Sequence, residues 1–140
     1  KSHNIIKSPG QCLIKRQCIP VEWQRYIMKT NGADDLFLWI LLLEKSYKFA
    51  INKEALYIHK YTGENLSESE EKMTISSLEI VDCLKKVDYV PKKDVYELKR
   101  TREFSLKLRK EKGLKRVLIM VRNFDLVMYL GVNKIKRKLF

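Results

Sequence analysis

Eight apolar residues in a row, Leu36 to Leu43, follow directly on the pair Asp34-Asp35 and the turn signal Asn31-Gly32. No other stretch of the chain constrains its fold as tightly. The run is far shorter than the ~18 residues that cross a bilayer, so it reads as a helix buried on all sides, and the rest of the chain must wrap around it. Asp34 and Asp35 open that helix, because a carboxylate caps the first turn and suits the positive end of the helix dipole. One carboxylate is enough for a cap. If Asp34 fills that role, Asp35 lies in the first turn against a wall made by Trp39 and its apolar neighbours, where partial burial lifts a carboxylate toward the basicity of a general base. On spacing alone the helix-start role is the simpler one for both.

The elements around this helix follow from local pattern. Gln11 to Arg16 is expected as a short strand, and Pro20 suits the first turn of a helix from Val21 to about Lys29. "YKFAINKEALYIHKY" predicts a strand, a tight turn at Asn52-Lys53-Glu54 and a second strand. Alternation in that second strand puts Leu56 and Ile58 on one face and Tyr57, His59 and Tyr61 on the other. After the polar "TGENLSESEE" the composition changes to helix formers, which places a boundary between a mixed α and β domain, residues 1–66, and a helical extension, residues 67–140. In the extension, Met73, Ser77, Ile80, Leu84 and Val87 mark a helix starting near Ser67 or Ser69. A second runs from Pro91 to Gly113, and a third from Leu114 until Gly131 breaks it. The expected class is α+β, predominantly helical.

Charge divides the chain unevenly. Of 29 Lys and Arg against 17 Asp and Glu, residues 99–140 hold fourteen of the cations and three of the acids, a net of +11 out of +12. Such a tail predicts a polyanionic partner, either nucleic acid or an anionic membrane surface met through residues 114–140. In "VNKIKRKLF" apolar and basic residues are interleaved. A non-enzymatic basic module that binds nucleic acid or a membrane is therefore one reading of the chain. Aromatic residues are not interleaved with the basic run, and no helix-turn-helix or RNP pattern is present, which weighs against nucleic acid. Self-association into a homo-oligomer through the amphipathic helices is a third reading.

Other chemistry has little support in the residues. Three cysteines without a C-x-x-C pair give neither a disulfide framework nor a zinc site, and they fit a reducing cytosol. There is no G-x-S-x-G, no G-x-G phosphate loop and no cysteine near a histidine in sequence. His59 has the chemistry to ligate a metal or meet a phosphate, although a single histidine more commonly hydrogen-bonds locally. The first residue is Lys rather than Met, and the chain reads as a piece of something longer.

Taken in order, "SPGQCLIKR", "IPVEWQ", "NGADDLFLWILLL" and "ALYIHKYTGENLS" resemble the second half of a family 2 glycosyltransferase of the GT-A fold, of the bacterial polysaccharide type. The resemblance covers residues 5–67, about half the chain. It implies the acceptor-side portion of a GT-A-like α/β fold, short strands plus helices, followed by a C-terminal helical extension. It also implies an acidic pair under the acceptor pocket, with Asp35 as the catalytic base that takes the proton of the attacking sugar hydroxyl. Asp34 would cap and orient, Gln11 and Trp39 would border the donor and acceptor pocket, and His59 would lie near the donor diphosphate and its metal. The substrates implied are a nucleotide-sugar donor and a saccharide or lipid-linked acceptor, at the cytoplasmic side of the inner membrane. The resemblance fails in one place. The family holds Mn²⁺ or Mg²⁺ through a D-x-D motif in its nucleotide-binding half, and no D-x-D occurs here. The implied cofactor therefore belongs to a complete enzyme, and this chain by itself is expected to bind nucleotide sugar poorly and to turn over nothing.

Overall fold

The computed structural model describes residues 6, 9–30, 32–58, 60 and 69–139. Among them are six α-helices, α1 (Val21–Arg25), α2 (Asp34–Glu44), α3 (Glu70–Leu84), α4 (Lys92–Lys110), α5 (Gly113–Arg122) and α6 (Phe124–Leu139), with 3₁₀ turns at Pro9–Gln11 and Arg16–Cys18 before them. The described residues divide into two compact units, residues 1–99 and residues 100–140, with α4 running through the division.

In the first unit α2 is the centre of the core. Leu36 to Leu42 are all buried, as a helix apolar on every side requires. Leu36, Phe37, Ile40 and Leu41 pack with Ile80, Val81 and Leu84 of α3, Val87 and Val90 of the following turn, and Val95 and Leu98 of α4. Leu38, Trp39 and Leu42 take the other side, against partly buried Ile6, Cys12, Ile14 and Cys18 of the N-terminal segment. Two layers therefore sandwich one helix. α3 and the start of α4 pack on α2 together with Trp23, Tyr26 and Met28, within the unit that runs to Lys99.

Helix ends are set by local chemistry. Ser69 caps α3, its hydroxyl oxygen accepting from Lys72 N at 3.4 Å. At the end of α2, Ser46 N donates to Leu43 O and Tyr47 N to Leu42 O, a Schellman pair that puts Ser46 at φ 59, in the left-handed region. α1 stops at Arg25, earlier than the expected Lys29, because Tyr26 turns to extended backbone and sets its ring 6.5 Å from that of Phe37.

Several expectations are overturned here. No strand is found among the described residues, so the class is helical rather than α+β, and these residues do not display the α/β architecture that the resemblance implies. Gln11 to Arg16, expected as a strand, joins two 3₁₀ turns, the first closed by Cys12 N donating to Pro9 O at 3.0 Å. Residues 48–58 are irregular, and Asn52 Oδ1 accepts from Glu54 N in an Asx turn. A strand needs a neighbour to complete its hydrogen bonds, and none lies alongside among the described residues. The last expected helix breaks at Asn123 rather than at Gly131. The Asn123 side chain donates back to Ile119 O at 2.9 Å, and its own carbonyl starts α6 by accepting from Leu126 N and Val127 N.

The second unit consists of the later part of α4 with α5 and α6. Both terminal nitrogens of Arg100 donate to the two carboxylate oxygens of Asp125, each at 2.7 Å. Phe104 and Leu126 are buried. Leu114, Val117, Leu118 and Val121 of α5 stay exposed.

Candidate functional site

The head of α2 is built by α3 and by a glycine. Gly32, at φ 135, makes the turn into the helix, a backbone region that side chains rarely adopt, and a Cβ there would meet Met73 Sδ at 3.0 Å. Ala33, fully buried, stands at the N-cap position and offers no side-chain cap. Its N–H donates instead to Ser76 Oγ at 3.1 Å, and the same hydroxyl donates to Thr30 O at 3.1 Å. One turn further along α3, Glu79 accepts from Lys29 N, from Thr30 N at 2.8 Å and from the Thr30 hydroxyl. Burial pushes the Glu79 carboxyl up, but the Thr30 hydroxyl and the two amides outweigh it and hold the group below its ordinary value. Ser76 and Glu79 thus fix the loop that aims α2. Sequence reading misses both, although two polar residues three apart beside the apolar stripe of α3 are the signal that was there.

Asp34 and Asp35 occupy the first two positions of α2, so Asp34 is not the cap expected of it. Asp34 is exposed, and its carbonyl accepts from Trp23 Nε1 at 3.1 Å. It borders a cleft of about 260 Å³ whose other walls are Trp23, Tyr26, Ile27, Met28, Thr30 and Phe37. That volume is just under the ~300 Å³ of typical small-molecule pockets, so the cleft suits one ring rather than an extended ligand. Aromatic walls with a carboxylate at the rim are the combination a polyhydroxylated ring needs, apolar faces for its C–H side and an acceptor for its hydroxyls.

Asp35 points elsewhere. It is half-buried, its Oδ1 accepts from Leu36 N at 2.7 Å, and it does not line that cleft. Its charge is felt by Cys12: burial, and after it the Asp35 carboxylate, pushes the Cys12 thiol up. Cys12 in turn packs against the cluster of Leu38, Trp39 and Leu42. Close by in sequence, Gly10 lies against the ring of Tyr57, where a Cβ would approach the hydroxyl to 3.1 Å. The first segment thus touches the third through Cys12 and the fourth through Gly10, and the second supplies Trp23 to the head of α2.

The remaining predicted residues separate. Trp39, expected as pocket wall, is buried at 4% exposure with its ring edge-on to Phe49, and its Nε1 has no acceptor among the described residues. Its eight-residue apolar run draws it into the core. Gln11 is exposed at the end of the first 3₁₀ turn and does not line the cleft. His59 lies outside the described residues. Among the described residues no three His, Cys, Asp or Glu side chains come together as a metal site. Those described do not form a donor set for Mn²⁺ or Mg²⁺. Compared with protein-family models, with curated proteins and with solved structures, the chain gives no match.

Proposed function

We propose that this chain is the acceptor-side portion of an inverting glycosyltransferase acting on a nucleotide-sugar donor and a saccharide or lipid-linked acceptor at the cytoplasmic side of a membrane. One observation carries the reading. Segments that are far apart in sequence, and that resemble the family separately, come together: the Asp35 charge acts on Cys12, Trp23 bonds the Asp34 carbonyl, and Gly10 lies against Tyr57.

In this reading the acceptor ring rests against Trp23 and Tyr26 with a hydroxyl toward Asp34. Asp35, which accepts from Leu36 N and lies outside the cleft, must swing its carboxylate toward that hydroxyl to act as the base. The acceptor oxygen attacks the anomeric carbon, its proton passes to the Asp35 carboxylate, and the bond from that carbon to the donor phosphate breaks, releasing a nucleoside diphosphate with inversion. Charge on the leaving diphosphate is neutralised by groups of a nucleotide-binding half, where the divalent metal would be held. The irregular stretch 48–58 supports the need for such a half. Ile51, Leu56 and Ile58 are 74 to 88% exposed, an alternating apolar segment of the kind that a neighbouring strand pairs and covers.

The test begins with the coding sequence upstream of Lys1. A strand-rich stretch of roughly a hundred residues that carries D-x-D is expected there, and the joined protein should release nucleoside diphosphate only when a saccharide acceptor is added. An upstream stretch without such a motif, or a joined protein that neither binds nor cleaves nucleotide sugars, would refute the proposal.

A further inference from the structure

We infer that α5 is a docking helix for an anionic lipid surface, independent of the glycosyltransferase reading. Leu114, Val117, Leu118 and Val121 recur at spacings of three and four, so they form one stripe along the helix. The second unit leaves that stripe in water, with exposures of 76, 53, 47 and 67%. Lys115 and Arg122 lie about two turns apart along one edge of it, and Arg122 is one turn beyond Leu118. Their aliphatic stems can lie beside the stripe while their charges reach the headgroups, the arrangement of a helix seated in a membrane interface. Residues 99–140 supply the long-range attraction, with fourteen cations against three acids.

Charge complementarity selects the lipid over the other occupants. Two copies packed stripe to stripe would bring these cationic regions together, and four aliphatic side chains fall well short of the ~800 Å² per partner of a stable interface. Nucleic acid would engage the cations but leave the aliphatic stripe in water, and α5 has no aromatic residue on which a base could stack. The helix is ten residues long, and no helix among the described residues is long and apolar enough to cross a membrane, so α5 lies in the interface plane.

The experiment is co-sedimentation of the full 140-residue chain with phosphatidylcholine vesicles, with and without about 30 mol% phosphatidylglycerol. Binding should be at least about tenfold stronger with the anionic lipid and should weaken about fivefold for each of Lys115→Gln and Arg122→Gln. Val117→Asp with Val121→Asp should abolish it, with helicity by circular dichroism unchanged because both positions are exposed. Lys92→Gln with Lys93→Gln, a matched charge loss on the first unit, should leave it within about twofold. Equal binding to neutral vesicles, or equal losses from the Lys115/Arg122 and the Lys92/Lys93 replacements, overturns the inference. So does absence of vesicle binding, whether the chain then binds single-stranded DNA insensitively to Val121→Asp or doubles its mass in light scattering in a Val121-dependent way.

Discussion

Replacing Glu79 by Gln is the sharpest probe of how the head of α2 is held. The carboxylate accepts three hydrogen bonds, from the amides of Lys29 and Thr30 and from the Thr30 hydroxyl. Gln keeps the shape but has one acceptor oxygen, and its NH₂ faces a backbone donor that is left without a partner. A hydrogen bond to a charged group is worth about 1.5–3 kcal/mol against about 1 for a neutral one, and an orphaned donor costs about 1–3 more where it is dry. Because one side of this site is open to solvent, the expected loss is about 2 kcal/mol, or about 10 °C in Tm for a unit of this size. Urea unfolding followed by tryptophan fluorescence measures it, since Trp23 is bonded to Asp34 at the end of the same loop. The folded-state pKa of Glu79 lies below its ordinary 4.5, so the stabilisation is fully present above that value and is lost as pH falls through the lower folded one. The gap between wild type and Glu79→Gln should therefore be constant near pH 7 and close as pH falls below the ordinary 4.5. A variant within about 0.5 kcal/mol of wild type, or a gap that does not change with pH, would refute the clamp.

Other expectations test neighbouring parts of the account. Ser46→Gly should stabilise the chain by about 0.5–1 kcal/mol in the same urea titration, because Ser46 holds a left-handed φ of 59 that glycine adopts without strain. Leu41→Ala, at a fully buried position between α2 and α3, should cost about 2–5 kcal/mol, and a smaller loss would place the core elsewhere. Asp35→Asn should lower the Cys12 thiol toward its ordinary value and speed its alkylation at pH 8, leaving Cys18 unchanged; an unaltered Cys12 rate would separate the two side chains.

What the sequence made legible was whatever neighbours in the chain decide. The apolar run of α2, the Ser69 start of α3 and the Pro91 start of α4 depend on periodicity and capping within a few residues, and they appear where expected. Residues 11–16 and 48–58 carry short apolar runs bounded by turn signals, a pattern that is equally local, yet a strand exists only with a partner, and the described residues provide none. Asn123 and Gly131 differ in the same way. Asn123 competes for the backbone with its own side chain, while Gly131 costs α6 only about 1 kcal/mol, which the helix absorbs. At the site, the acidic pair could be read from the sequence as a helix start, but not that Asp34 would border the cleft while the Asp35 charge acts on Cys12. That depends on Ser76 and Glu79, more than forty residues away, which fix how the helix is turned.

The central claim is that the acidic pair serves a sugar acceptor, and one comparison tests it directly. In the protein joined to its nucleotide-binding half, Asp35→Asn should slow transfer by about 10²–10⁴-fold at saturating acceptor while the affinity for nucleotide sugar stays unchanged. Asp34→Asn should chiefly raise the acceptor KM. Transfer that persists within about tenfold in Asp35→Asn would contradict the account, since no base on which turnover depends so little can be the one that takes the proton.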